Sequence, residues 1–419
     1  MNKKLNNIFK GDKVIWMVFF FLFIISIVEV FSASSSLTYK GQSYWGPVIK
    51  HFGIFFVGVI CTIIVMNIRC QYYKIVTPFL LLISLASLLW VLMPGHAIND
   101  GSRWINLGIV QFQPSEIAKG TLILAVAQLL SAMQTEDGAD RKAIKYIVGL
   151  CSFFILLIGV ENLSTAVLLT GVIILMMFIG RVPLSQIGKL LGFFAVTIAI
   201  LIGAVFLLAS NDREAAVSNN NVDKTEIVEQ PKKSKSIFHR AATWKKRLFK
   251  FTNKEDIPPE KFDLDENMQE GHANIAIASS KAVGRGPGNS VERDFLPQAY
   301  SDFIYAIIIE EMGLFGGIFV ALLYIILLFR TGKIANRCEN SFPALLSMGL
   351  ALLLVSQALF NMLVAVGLAP ITGQPLPLIS RGGTSTIINC VYIGAILSVS
   401  LWAKKKDENS NQTSMKVAK

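Results

Sequence analysis

Long stretches nearly devoid of charge recur along most of this chain, and they constrain the fold more than any motif does. A helix needs about 20 apolar residues to cross a bilayer, where its backbone must satisfy its own hydrogen bonds. About ten runs reach or approach that length, near 14–33, 48–68, 75–94, 116–133, 143–160, 163–180, 189–209, 303–329, 342–367 and 384–403. Only 16% of residues are charged, against about 25% in soluble domains. The expected fold is an all-α polytopic membrane protein of about ten transmembrane helices with a large extracytoplasmic loop between helices 7 and 8. The fifth and sixth runs nearly fuse at Glu161-Asn162-Leu163, where a tight hairpin with Asn162 as a helix cap is expected. The first run is too long, and too poorly followed by a cleavage site, to be a removable signal.

The net charge of +11 would suggest nucleic acid in a soluble protein, but its placement argues otherwise. Lys3, Lys4, Lys10 and Lys13 precede the first run; Arg69 and Lys74, Arg141 to Lys145, Arg181 and Lys189, and Arg330 to Arg337 fall in alternate short loops. Lys404, Lys405 and Lys406 close the last run. The positive-inside rule makes all of these cytoplasmic, with both termini inside. The chain then divides into a seven-helix region (1–209), an outer loop (210–302), a three-helix region (303–403) and a cytoplasmic tail (404–419). Within the loop, 210–236 is polar and disorder-prone. Residues 237–251 form a basic amphipathic helix suited to the membrane surface, with Arg240 able to reach a lipid-borne pyrophosphate. The five cysteines include no CxxC, and the four histidines have no metal spacing.

Polar groups at the mouths of apolar runs are costly to desolvate and mark candidate sites. Asp302 stands where the polar loop enters the eighth run, with Glu310 and Glu311 two turns further on. Its bland reading is a first-turn acid behind a Ser301 N-cap. The positive end of a helix dipole also favours the carboxylate form that a general base requires. On the same outer side, PSEIAKG opens the fourth run with Pro at the first helical position and Glu116 in the first turn. Lys119 lies one turn in and shares a face with Glu116 and Ser115, giving either an anion site or a neutralised carboxylate. Arg103 beside Trp104 suits a headgroup phosphate. The apolar stretch 369–385, with three prolines and three glycines, forbids a regular helix and must be buried in protein or line a cavity; it carries Gln374 and Ser380. Gly284 to Gly288 reads as a compact re-entrant or surface turn, Glu310 and Glu311 as structural hydrogen-bonding groups, and Ser32 to Ser36 as close helix packing.

The strings GRGPGNS, FLPQAYSDFIYAIIIEEMGLFGG, PSEIAKG and GQPLPLISRGGTS, in their order and spacing, closely resemble the shape, elongation, division and sporulation family of peptidoglycan glycosyltransferases, which includes FtsW, RodA and SpoVE. The resemblance covers nearly the whole chain and is closer to the division branch, FtsW, than to the elongation branch, RodA. It implies polymerisation of lipid II at the outer face of the bacterial inner membrane, for septal wall synthesis in cell division. The family's catalytic aspartate falls on Asp302, and its cavity glutamate and lysine fall on Glu116 and Lys119. It further implies a class B penicillin-binding protein and other division proteins as partners, and a divalent cation, Mg or Mn, at the pyrophosphate. Arg381 and Thr384 stand where many members have Tyr and Ser, Asn162 where the elbow usually has Asp, and the polar insertion 211–236 is unusual. A transporter or lipid II flippase is the rival from another class. A division scaffold is the third reading.

Overall fold

The computed structural model describes residues 9–34, 45–92, 105–106, 111–136, 138–192, 268–296 and 299–417. One compact unit comprises Met1–Val182 with Phe262–Lys419; a second is Pro183–Lys261, of which only 183–192 is described, helical from 184. The expected seventh span enters that helix and otherwise lies outside the described residues, as do 210–236, the amphipathic segment with Arg240, and Arg103.

The first unit contains α1 (Lys13–Ser34), α2 (Trp45–Met66), α3 (Cys70–Leu92), α4 (Pro114–Ala132), α5 (Ala143–Glu161), α6 (Leu163–Ile179), α7 (Met268–Ser280), α8 (Ile304–Ala335), α9 (Ser341–Ala365) and α10 (Thr384–Val417). Eight are long and apolar enough to cross a membrane; α6, at 17 residues, is shorter, and α7 is not among them. The chain is thus a mostly helical, multi-pass membrane protein. α10 continues through the charged residues past 403. Two ladders of two residues per strand, Ile105–Asn106 with Gln111–Phe112 and Gln134–Thr135 with Gly138–Ala139, are too short to have shown as alternation in the sequence.

Small residues let the helices approach closely. A Cβ on Gly58 would lie 2.7 Å from Cys390 Sγ, and one on Gly394 2.8 Å from the Thr62 carbonyl. Thr62 Oγ1 donates to the Cys390 carbonyl (2.9 Å), so α2 and α10 join through contact and a hydrogen bond. At the end remote from Asp302, Asp12 caps α1 by accepting from Val14 N (2.9 Å) and Ile15 N (3.3 Å). The same carboxylate receives Arg330 Nε and Nη2, each at 2.8 Å. Asn162 closes α5 and opens α6, its side chain accepting from Thr165 N (3.4 Å).

The eighth run departs most from expectation. A straight helix of 32 residues would be about 48 Å long, well beyond a hydrocarbon core of about 30 Å. Instead α8 breaks at Gly313, whose φ of 72° and ψ of −175° no helix contains. Tyr305 Oη donates to the Gly317 carbonyl at 3.1 Å, a pair whose backbones a continuous helix would hold about 18 Å apart. Residues 304–312 are therefore a buried half-helix folded back on 314–335. The break is filled by the glycine-rich loop: Arg285 N and Gly286 N donate to the Glu310 and Glu311 carbonyls (3.0 and 2.8 Å), while Leu314 N and Phe315 N donate to Lys281 and Ala282 (3.3 and 3.4 Å). A Cβ on Gly313 would fall 2.2 Å from the Ala282 carbonyl. An apolar run reads alike whether protein or lipid covers it, which is why 303–329 had the appearance of one span.

Candidate active site

The Glu310 and Glu311 side chains hold the same loop from inside. Glu311 accepts from Gly288 N (2.8 Å), Ser290 N (3.3 Å) and the Ser32 hydroxyl, with Arg293 Nη1 at 3.8 Å. Glu310 accepts from Val291 N (3.0 Å) and the Ser290 hydroxyl, with Arg285 Nη1 at 3.5 Å. Ser32 is thus a hydrogen-bonding hydroxyl on α1 rather than only a small packing residue; Arg293 Nη1 also donates to it (2.8 Å). Both carboxylates are fully buried and turned toward the loop. They brace the segment that leads into Asp302.

Asp302 sits in the turn just before the half-helix and is half-buried. The N-cap of that helix is Phe303, with no side-chain cap, and not Ser301. Ser301 is otherwise engaged: its hydroxyl donates to Asp302 Oδ1 (3.0 Å), and its carbonyl accepts from Ser380 Oγ (2.6 Å). Arg381 N donates to the Tyr300 carbonyl (3.0 Å), and the Arg381 guanidinium lies 5.5 Å from the Tyr300 ring centroid. The proline-rich stretch before α10 is therefore docked on the Asp302 turn. It is itself held in an uncommon conformation, Leu378 having a φ of +66°. The Tyr324 hydroxyl secures it by donating to the Pro377 carbonyl.

Lys119 and Glu116 occupy the first turns of α4, whose Pro114 stands at the start behind Gln113. Lys119 is fully buried, and its Nζ donates to Glu116 Oε1 and to Gln357 Oε1, each at 2.9 Å. Among the described residues Glu116 Oε2 and Ser115 Oγ are buried without a hydrogen-bond partner. Gln374 is buried too, its Nε2 donating to Thr165 Oγ1 (2.7 Å).

Two residues join these parts, and sequence reasoning passed over both. Gln357 accepts from Lys119 and donates through Nε2 to the Pro375 carbonyl (3.1 Å). Asn361, one turn along α9, donates through Nδ2 to the carbonyls of Asp302 (2.9 Å) and Gln374 (2.7 Å). The available signal was two amides at i, i+4 in an otherwise apolar span, placed on one face by helix geometry. Through them α4, the proline-rich loop and the Asp302 turn form one hydrogen-bonded assembly.

Chemically the site offers a half-exposed carboxylate, a half-buried guanidinium and a buried ammonium. No group of three or more His, Cys, Asp and Glu able to hold a metal occurs among the described residues. Glu116 already faces the Lys119 ammonium, a poor environment for a second cation. This donor set does not fit a resident divalent ion held by the protein alone, and no step below passes through one.

The model of the cell cycle protein family FtsW/RodA/SpoVE matches residues 12–405. A protein of Hahella chejuensis named probable peptidoglycan glycosyltransferase FtsW is 30% identical over 371 residues, 87% of this chain and 83% of that one. A protein of the same name from Coxiella burnetii is 28% identical, over 92% of this chain and 95% of its own. Among solved structures, one chain of a peptidoglycan synthase complex described as coordinating polymerization and crosslinking superposes with a TM-score of 0.65 at 21% identity, covering 94% of this chain and 98% of that one. The rod shape determining protein RodA of Thermus thermophilus gives 0.59 at 20% identity, covering 94% and 98%. At those identities the likeness is one of fold.

Proposed function

The chain belongs to the FtsW/RodA/SpoVE family of cell cycle proteins, and from that membership we propose that it is a peptidoglycan glycosyltransferase polymerising lipid II at the outer face of the bacterial inner membrane. The observation that carries this reading is the assembly in which Gln357 and Asn361 tie the Lys119 helix, the proline-rich loop and the Asp302 turn together. Asp302 is the general base: its carboxylate takes the proton of the acceptor sugar's 4-hydroxyl as that oxygen attacks the anomeric carbon of the donor. The bond from that carbon to the pyrophosphate breaks, undecaprenyl pyrophosphate leaves with its electron pair, and the configuration inverts. Half-exposure lets Asp302 return its proton to water.

Arg381 lies against Tyr300, two residues before Asp302, and its guanidinium is able to meet a phosphate oxygen. Lys119 contributes its charge from beneath the surface, since a direct phosphate contact requires one of its two hydrogen bonds to open. In this reading both termini lie in the cytoplasm. The FtsW name of the relatives supports a role in septal wall synthesis, and the likeness to a synthase complex that coordinates polymerization and crosslinking supports a class B penicillin-binding protein as partner. The RodA-type elongation role would use the same chemistry.

The test uses the full chain purified with its transpeptidase partner, labelled lipid II, and Asp302→Ala beside wild type. Long glycan strands from wild type and none from a folded variant support the proposal. Equal polymer from both removes Asp302 from the chemistry. Lipid movement across vesicles without polymer makes the protein a flippase.

A further inference from the structure

The end of the bundle remote from Asp302 carries a cleft of about 800 Å³ that the reaction above does not use. Arg69, Lys74 and Arg337 line it, together with Phe342 at the start of α9 and Trp402 about midway along α10. The Arg69 guanidinium lies 5.2 Å from the Trp402 ring centroid, and Lys74 Nζ lies 4.8 Å from that of Phe342. Among the described residues none of the three cations has a carboxylate partner. Glu339 is the one acidic residue in the lining, so charge stands at three to one. A neighbouring cavity of about 330 Å³ shares Arg337 and Ala403 with this cleft. Its Arg330, by contrast, is already neutralised by Asp12.

We propose that this cleft binds a phosphate group, carried by the headgroup of an anionic phospholipid. Cations laid on aromatic faces keep their attraction for an anion while their side chains are held in place. They sit between helix ends, where headgroups lie and where basic inter-helical pockets take acidic lipids. The apolar wall of Phe342, Pro343, Val399 and Trp402 beside them suits the glycerol and upper acyl region of a lipid better than a fully hydrated ion. Three cations, two of them on aromatic faces, set a preference for an anionic over a zwitterionic lipid on the order of a hundredfold at low salt.

The experiment takes the full-length protein in neutral detergent and measures retention of phosphatidylglycerol against phosphatidylcholine by native mass spectrometry. Titrations with inorganic phosphate and pyrophosphate run in parallel. The triple variant Arg69→Gln/Lys74→Gln/Arg337→Gln removes the cations, and the single Lys74→Gln serves should the triple fail to fold. Wild type is expected to retain phosphatidylglycerol preferentially, the triple variant to lose at least tenfold of that preference, and Lys74→Gln to lose a few fold. Competition by millimolar inorganic phosphate or pyrophosphate would support the phosphate site while naming a soluble source. Equal retention of both lipids by wild type, or a preference unchanged in the variants, overturns the proposal.

Discussion

Replacing Gln357 by Met tests the idea that the amide pair on α9 couples the two charged parts of the site. Methionine has similar length and no polar atom, so two defined interactions disappear. Lys119 Nζ loses one of its two acceptors, and the Pro375 carbonyl loses its donor. A hydrogen bond to a charged group contributes about 1.5–3 kcal/mol, and a buried carbonyl left unpaired costs about 1–3 kcal/mol. Their sum is about 2.5–6 kcal/mol before relaxation. Only the first part concerns Lys119, so a double-mutant cycle isolates it. Gln357→Met, Lys119→Met and the double variant should show a coupling of about 1.5–3 kcal/mol in denaturation measured in detergent. Because the Pro375 contact also sets the loop on which the Asp302 turn rests, Gln357→Met should slow glycan polymerisation by roughly ten- to a hundredfold even where the protein stays folded, as misplacement by about 1 Å does elsewhere. Additivity of the two single variants within about 0.5 kcal/mol, together with wild-type polymerisation by Gln357→Met, would refute the reasoning.

Gly313→Ala should abolish stable expression, because the added Cβ meets the Ala282 carbonyl at 2.2 Å and the backbone has φ +72°. Gly171→Ala, with nothing within 4 Å of the added carbon, should leave the melting temperature unchanged or raised. Asp12→Ala removes a helix cap and both bonds to Arg330, and should lower stability by about 1–2 kcal/mol, read as a shift in the thermal midpoint. Burial pushes the Cys338 thiol up to about 11. The thiolate is then scarce at neutral pH, so maleimide labelling at pH 8 should run about a hundredfold slower than at a free cysteine and climb until pH 11. Fast labelling of Cys338 at pH 7 would contradict its burial.

The membrane body was legible because lipid imposes a length and a polarity on every span. The runs expected at 14–33, 116–133, 143–160 and 342–367 appear as helices within two residues of those bounds at each end, and the run expected at 75–94 as a helix that begins five residues earlier, at Cys70. The start of α4 was legible for a local reason, since proline at the first helical position followed by an acid carries its own signal. Asp302, Lys119 and Gln374 stood out as polar residues in apolar surroundings. What escaped depends on partners far away in the chain. Ser301 looked like a cap because the bond that claims its carbonyl comes from Ser380, 79 residues on, while its hydroxyl turns to the Asp302 carboxylate. The break in α8 needs the loop around Gly284 to fill it, and neither stretch reveals the other by periodicity. Gln357 and Asn361 gain meaning only once the proline-rich loop is laid against them.

The interruption at Gly313 also bears on biogenesis. Its exposed peptide groups are satisfied by residues 281–286, so residues 304–312 cannot be released from a translocation channel into lipid as a finished unit. The stretch around Gly284 has to be delivered first and remain near the exit until Leu314 and Phe315 emerge to complete the junction. Insertion of the last third of the chain is thereby ordered in time, and lengthening the tether between residues 290 and 304 should delay it without altering any hydrophobic segment.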